Sequence, residues 1–317
     1  MSLSRSVGAA VSLVTRDIFS FGIPRYLSLV DKNLRSPTYG CSDRCYWKYR
    51  IKDYCNFRFQ EGGRLIGLAT QLHDSPYRAN SILVDLCRAN LNYAVKNTNR
   101  NGSVTEVYPY ENSYCATAML AFALSELMIG LKITEPTSLL ECMLRWLGAQ
   151  KPSAVINQSA AAAAASYNTF TITGNNEFLD AYSRIFSFIQ EDYAKKGFFS
   201  EYGGFDLGYS TLTCSLLAHV YLKNSDKQLH QLIQSELRRI NDSLGDNGEF
   251  DENTMSRKTQ FIYPFALVVF EHPAVEKLVN AISNQNFLHP LWMDDRYFVP
   301  LSIDYLSSSL WLQEHSL

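Results

Sequence analysis

Gly197-Phe198-Phe199-Ser200-Glu201 has two relatives in the chain, Gly102-Ser103-Val104-Thr105-Glu106 and Gly248-Glu249-Phe250-Asp251-Glu252. Each reads Gly, any residue, Val or Phe, any residue, Glu. The copies are separated by 95 and 51 residues, counted from 102 to 197 and from 197 to 248. The first gap is close to twice the second, and a period of about fifty residues is the mark of a repeat architecture. Each phrase ends on a carboxylate and runs into an aromatic-rich loop and then an apolar helical stretch. Glu106, Glu201 and Glu252 therefore read as braces or caps for the helix that follows, because a catalytic acid is rarely needed three times.

Outward from these phrases, helical periodicity dominates. Leu83, Leu86, Cys87, Leu91 and Ala94 share one face, as do Leu139, Cys142, Met143, Trp146 and Leu147. Phe178, Tyr182, Ile185, Phe186 and Ile189 form another, and so do Leu229, Leu232, Ile233, Leu237 and Ile240. Ala160 to Ala165 is a run of strong helix formers that lets neighbouring backbones approach closely. Phe261 to Phe270 is strongly apolar and reads as a buried helix. Asn101-Gly102, Gly174-Asn175-Asn176, Asn224-Ser225-Asp226 and Asp246-Asn247-Gly248 punctuate the pattern as turns. No period-2 strand series is present, short extended pieces are expected beside the repeated phrases, and the last twenty residues read ambiguously. The fold expected is all-α: helical hairpins closing, completely or incompletely, into an α/α toroid with no large β domain. It is expected to be one domain over 1–317, with 1–40 a helical segment packed on the toroid.

Composition bounds the function. The chain has 317 residues, 46% apolar and 19% charged, with a net charge of −2. This suits a filled globular core and argues against nucleic acid or anionic lipid as partner. No run reaches the roughly 18 apolar residues of a membrane span. The apolar stretch from Val7 to Phe21 is broken by Arg16 and Asp17, and no small-residue cleavage site follows, so no secretory signal is read. Seven cysteines without a CxxC pair favour a reducing, cytoplasmic setting. Cys41, Cys45 and Cys55 show no evident fourth ligand, and the six histidines show no metal spacing, so neither metal nor cofactor is expected.

Five loops hold equivalent repeat positions, and a toroid would gather them round one cleft. The first carries Asp43, Arg44, Trp47, Gln60 and Glu61, and the second Glu106, Tyr108, Tyr110 and Glu111. The third holds Asn157 and Gln158, the fourth Tyr202, Gly203, Gly204, Asp206, Gly208 and Tyr209, and the fifth Arg257, Lys258 and Gln260. The glycines of the fourth loop read as backbone freedom, not a phosphate site. Aromatic rings stack on the apolar faces of sugars, polar side chains pair with hydroxyls, and arginine forks onto a carboxylate. An acidic poly- or oligosaccharide is the partner expected.

Asn157-Gln158-Ser159 opening an Ala-rich helix, with Tyr209 opening a later one, resembles the toroidal domain of alginate lyases and heparinase-type polysaccharide lyases. The whole chain resembles uncharacterised heparinase-like proteins of bacterial capsule and exopolysaccharide gene clusters. The motifs carrying this are Asp43-Arg44-x-Tyr46-Trp47, Phe59-Gln60-Glu61, Glu106-x-Tyr108-Pro109-x-Glu111-x-Ser113, Glu201-Tyr202-Gly203-Gly204-x-Asp206-x-Gly208-Tyr209 and Ser256-Arg257-x-Thr259. The resemblance implies a role in bacterial surface-glycan metabolism. It also implies an Asn that neutralises a uronate carboxylate and a Tyr that acts as base or acid. Gln158 stands where those lyases often carry a His, and the C-terminal β-sandwich of many lyases is missing.

Three readings follow. In a lyase or C5-epimerase, Asn157, Arg257 or Arg44 neutralises the carboxylate and Tyr209 removes the neighbouring proton. In a glycoside hydrolase two carboxyl groups flank the bond, about 5–5.5 or 6.5–9.5 Å apart. Glu106, Glu111, Glu201, Asp206 and Asp43 are the candidates there, with Asp206 and Glu111 preferred. In the third reading the same cleft belongs to a non-catalytic glycan-binding component of polysaccharide biosynthesis.

Overall fold

The phrase glycines take the left-handed backbone that glycine tolerates best: φ is 92° at Gly102, 77° at Gly197 and 79° at Gly248. A computed structural model of the chain describes residues 3–202, 204–256 and 261–315. Along the chain run α1 (Leu3–Asp17), a π-helical turn (Ile18–Gly22), α2 (Ile23–Leu29), α3 (Arg44–Trp47), a 3-10 turn (Phe57–Glu61), α4 (Gly62–Gln71) and α5 (Ser81–Asn97). Then come α6 (Tyr114–Gly130), α7 (Ser138–Ala149), α8 (Ile156–Thr173), α9 (Asn176–Lys196), β1 (Ser200–Glu201) and β2 (Gly204–Phe205). The chain continues with α10 (Leu207–Asn224), α11 (Lys227–Ser243), α12 (Phe265–Val269), α13 (Ala274–Asn284) and α14 (Asp295–His315).

Two layers of helices arise from this order. The inner helices pack in a closed cycle, α4 on α6, α6 on α8, α8 on α10, α10 on α12, α12 on α14 and α14 back on α4. Outside them, α5, α7, α9, α11 and α13 each pack on the inner helix before them, and α1 packs on α14. Each phrase lies where the chain leaves an outer helix and crosses to the next inner one. A Cβ on Gly102 would meet the Cys142 carbonyl oxygen at 2.3 Å, and one on Gly248 the Lys277 carbonyl oxygen at 2.5 Å. These are backbone atoms of α7 and α13, so the phrase is also where hairpins touch. The link from α7 to α8 carries no copy of the phrase, which is why the first gap is doubled.

Sequence chemistry explains the layers. On α11, Leu229, Ile233, Leu237 and Ile240 are buried at helical spacing, each stabilising the fold by roughly 1.5–3 kcal/mol. Its start is capped by Asp226, whose carboxylate accepts from the Leu229 amide at 2.7 Å. Inner α8 is buried almost all round, and Ala160–Ala165 show no exposure. Small side chains there let α6, α9 and α10 close in together.

Two expectations are corrected. Of the apolar run 261–270 only Phe265–Val269 is α-helical. Pro264 lacks an amide, and the surrounding amides are taken by other helices: Tyr263 N donates to Thr211 Oγ1 at 3.0 Å and Phe265 N to Asp304 Oδ1 at 2.8 Å. The ambiguous C-terminal residues belong to α14, which tolerates Pro300 inside it. The extended pieces beside the phrases are present as the two-residue antiparallel pair β1–β2 and the bridge between Val104 and Ser113. No helix among the described residues is long and apolar enough to cross a membrane.

Candidate functional site

Inner helices α6, α8, α10 and α14 begin at one end of the cycle, and their first turns line a small cleft with the turn before α4. Its walls include Arg58, Asn157, Gln158, Tyr209, Arg296 and Tyr297, and its volume is about 30 Å³. Asp206 caps α10 by accepting from the Tyr209 amide at 2.9 Å. Asp294 caps α14 by accepting from the Arg296 and Tyr297 amides, both at 3.0 Å. The two Asp-x-x-Tyr caps aim their rings at each other, and the Tyr209 and Tyr297 hydroxyls lie 3.1 Å apart.

Both arginines of the cleft are ion-paired. Arg58 Nε donates to Glu61 and Arg296 to Glu106. Burial raises the Glu61 carboxyl above its ordinary range against the pull of Arg58. Glu106 also accepts from the Ser113 hydroxyl at 2.9 Å, and Ser113 in turn caps α6 at the Ala116 amide. Glu201 has no ion-pair partner among the described residues. It accepts from Asn157, backbone amide at 3.2 Å and side chain at 2.6 Å. Burial pushes its pKa up to about 8, with the Asp206 charge adding to the rise.

The structure places the expected site residues unevenly. Tyr209, Gln158 and Tyr202 line the cleft, and Gln158 donates to the Tyr202 hydroxyl at 3.1 Å. Asn157 lines it too, with its amide committed to Glu201. Asp206 and Glu111 are committed to backbone: Asp206 Oδ2 accepts from the Ser256 amide at 2.6 Å, and Glu111 Oε2 accepts from the amides of Glu106, Val107 and Tyr108. These carboxylates hold loops in shape. Neither is presented to a bond between them.

The first loop turns away from the cleft apart from Arg58 and Glu61. Asp43 is buried, pairs with Lys52 at 2.6 Å and accepts from the Asn56 amide. Arg44 lies over the Tyr49 ring at 5.1 Å, and the Trp47 indole donates to the Leu29 carbonyl at 2.7 Å. Gln60 is fully buried, accepting from Ser42 N and Asn90 Nδ2 and donating to Cys55 Sγ at 3.3 Å. Its length and amide suit this network, which ties the loop to α5. Tyr202, which lines the cleft, is 59% exposed, and Tyr108 and Tyr110 of the second loop are 69% and 95% exposed. Arg257, Lys258 and Gln260 lie outside the described residues, as do Gly203, Thr259 and the side chain of Glu252. No group of His, Cys, Asp and Glu able to hold a metal occurs among the described residues.

Sequence reading missed Arg58, Arg296 and Tyr297. A usable signal existed for Tyr297: Asp294-Asp295-Arg296-Tyr297 repeats the Asp-x-x-Tyr spacing of Asp206 and Tyr209. The cleft continues inward. A second space of about 30 Å³ is lined by Glu61, Arg64 and Asp304. There burial raises the Asp304 carboxyl to about 7 against hydrogen bonds from Phe265 and Ser215.

The fold is that of an all-helical protein of paired, cyclically packed helices. Its architecture is similar to the crystal structure of a sugar epimerase from a ruminal bacterium, with 14% identity, a TM-score of 0.56 and coverage of 87% of this chain and 84% of that one. At that identity the likeness is one of fold. No protein-family model matches the chain, and no curated protein matches it.

Proposed function

We propose that the hairpins form an α/α toroid and that the chain is a carbohydrate-modifying enzyme, removing a proton beside the carboxylate of a uronate residue. The observation that carries this reading is the Tyr209–Tyr297 hydroxyl pair, 3.1 Å apart, in a cleft walled by Arg58 and Arg296. The resemblance to heparinase-like proteins and the fold shared with a sugar epimerase support a sugar as substrate.

The chemistry divides among these side chains. A proton next to a carboxylate is very weakly acidic, and it becomes removable when cations hold the developing enolate. Arg58 and Arg296 supply those cations once the substrate carboxylate displaces Glu61 or Glu106. Glu61, already raised by burial, then takes up a proton more readily than it remains buried and charged without its partner. Tyr209 as phenolate accepts the proton. Tyr297, beside it, donates one to the departing glycosidic oxygen, which gives a lyase with an unsaturated product. Tyr108, Tyr110 and Tyr202 offer stacking faces for flanking sugars. Return of the proton to the opposite face would give an epimerase instead, and the sugar epimerase fold favours that second reading.

The test is incubation with a panel of uronate polysaccharides in deuterated buffer. Ultraviolet absorbance reports unsaturated ends, and deuterium at the acidic carbon reports epimerisation. Tyr209→Phe is expected to reduce either signal by about 10²–10⁴-fold. Full activity in Tyr209→Phe, or new reducing ends with neither signal, overturns the proposal.

A further inference from the structure

A cavity larger than the tyrosine cleft lies at the other end of the cycle, where α4, α6, α10 and α14 finish. Its volume is about 290 Å³, and its walls include Arg64, Glu126, His219, Lys223, Ser307 and Trp311. Small-molecule sites begin at about 300 Å³, whereas one water occupies about 30 Å³. This cavity is roomier than the tyrosine cleft and has space for a monosaccharide-sized body.

Its polar wall is rigid. His219 stacks on Phe265 at 4.1 Å between centroids and meets Phe122 edge-on. Arg64 lies over the same Phe122 ring at 4.7 Å. Arg64 Nη2 and His219 Nε2 are 3.1 Å apart; arginine is only a donor, so the imidazole accepts and is neutral. Burial holds His219 well below its ordinary pKa, in keeping with that assignment. Arg64 Nη2 also donates to Ser307 at 3.3 Å. The three N–H bonds on its Nε and Nη1 find no acceptor among the described residues. Lys223 uses two of its three, on Glu126 Oε1 at 2.7 Å and the His219 carbonyl at 3.0 Å. Glu126 Oε1 accepts from Lys223 and from Asn168 at 2.8 Å, and its Oε2 lies 3.8 Å from Arg64 Nη2 and 3.6 Å from His219 Nδ1.

Arg64 and Lys223 thus stand beside one buried carboxylate, that of Glu126. Glu314 also lines the cavity and is exposed, and Glu61 and Asp304 line the adjoining space together with Arg64. Spare N–H donors on cationic side chains that line a cavity suit an anionic acceptor. The lining also includes the apolar and aromatic side chains of Trp311, Leu222 and Leu310. We infer that this end cavity binds a small organic acid of monosaccharide size, its carboxylate on Arg64 and Lys223 and its body against Trp311. The inference does not depend on the chemistry of the tyrosine cleft.

Calorimetric titration of the full chain with D-glucuronate, D-galacturonate and D-gluconate tests it, with D-glucose as the neutral control. At least one acid is expected to bind saturably, with glucose at least tenfold weaker. Lys223→Met is expected to weaken the acid tenfold or more. Leu310→Trp fills the cavity without touching the charged wall and is expected to abolish binding. Leu222→Trp does the same from α10, where the side chain is already 36% exposed, and circular dichroism identifies which filled variant is folded. No saturable binding by any of the three acids, equal binding of glucose, or acid binding that persists in a folded filled variant overturns the inference.

Discussion

Glu106 and Glu201 end two copies of one phrase, are equally buried, and live in opposite electrostatic surroundings. Glu106 meets Arg296 from α14, a residue 190 positions away. Among the described residues Glu201 meets the amide groups of Asn157, and burial pushes it up to about 8. The repeat supplies the same carboxylate at the same place in the hairpin, and the neighbour across the cycle decides its charge. That division also separates brace from chemistry. The carboxylates repeat, whereas the arginines and tyrosines that meet in the cleft are contributed once each.

The contrast is sharpest in its dependence on pH. Between about 4.5 and about 8 folded Glu201 holds a proton that the unfolded chain has released, so stability is greatest at the low end of that window and falls as pH rises through it. Glu201→Gln removes this contribution. Relative to wild type, the variant is expected to gain on the order of 4 kcal/mol between pH 5 and pH 9, at 1.36 kcal/mol per unit. Thermal melts across that range check it, and parallel curves for both proteins would break the comparison.

The phrase glycines give the next effect. Gly102→Ala incurs left-handed strain and a clash with the Cys142 backbone, together about 3 kcal/mol. Gly197→Ala incurs only the strain, about 1 kcal/mol, because its nearest neighbour is the end of the Arg239 side chain at 3.6 Å. Urea unfolding of both should show the difference, and equal losses would remove the idea that hairpins meet at Gly102. Arg296→Met strands a buried Glu106 and is expected to cost about 2 kcal/mol, discounted for the partial exposure of Arg296. Much of that loss should return in the double variant with Glu106→Gln, since the two residues are coupled. The effect of Asp206→Ala is expected to be as small as that of Gly197→Ala, about 1 kcal/mol from the lost α10 cap, accompanied by loosening of the Ser256 loop and a fall in activity through Tyr209.

Much of the framework was legible in the residues. Helical spacing at Leu229, Ile233, Leu237 and Ile240, and the turn glycines of each phrase, follow from local rules that hold in any hairpin. Tyr209, Asn157 and Gln158 were legible as well, because they sit just after a helix start in a repeat. Gln60, Trp47, Asp43 and Glu111 carry the same polar or aromatic character and fill structural roles instead. Residue type alone does not distinguish an amide facing a cleft from one facing Ser42 and Asn90. The run 261–270 misled for a related reason. Its apolar character was read correctly, but Thr211, Ser215 and Asp304 on neighbouring helices take amides that a longer helix would have used.

By itself the sequence determined the helical hairpin, its period of about fifty residues and the loops that start each inner helix, because periodicity, capping and left-handed glycines act over a few residues. Only the tertiary structure decided that Arg58, Arg296 and Tyr297 meet Tyr209, that Glu201 pairs with the amide groups of Asn157, and that Arg64, His219 and Lys223 wall a cavity at the far end. Those pairings join helices up to hundreds of residues apart. They depend on which inner helix follows which around the cycle, and no local rule encodes that order.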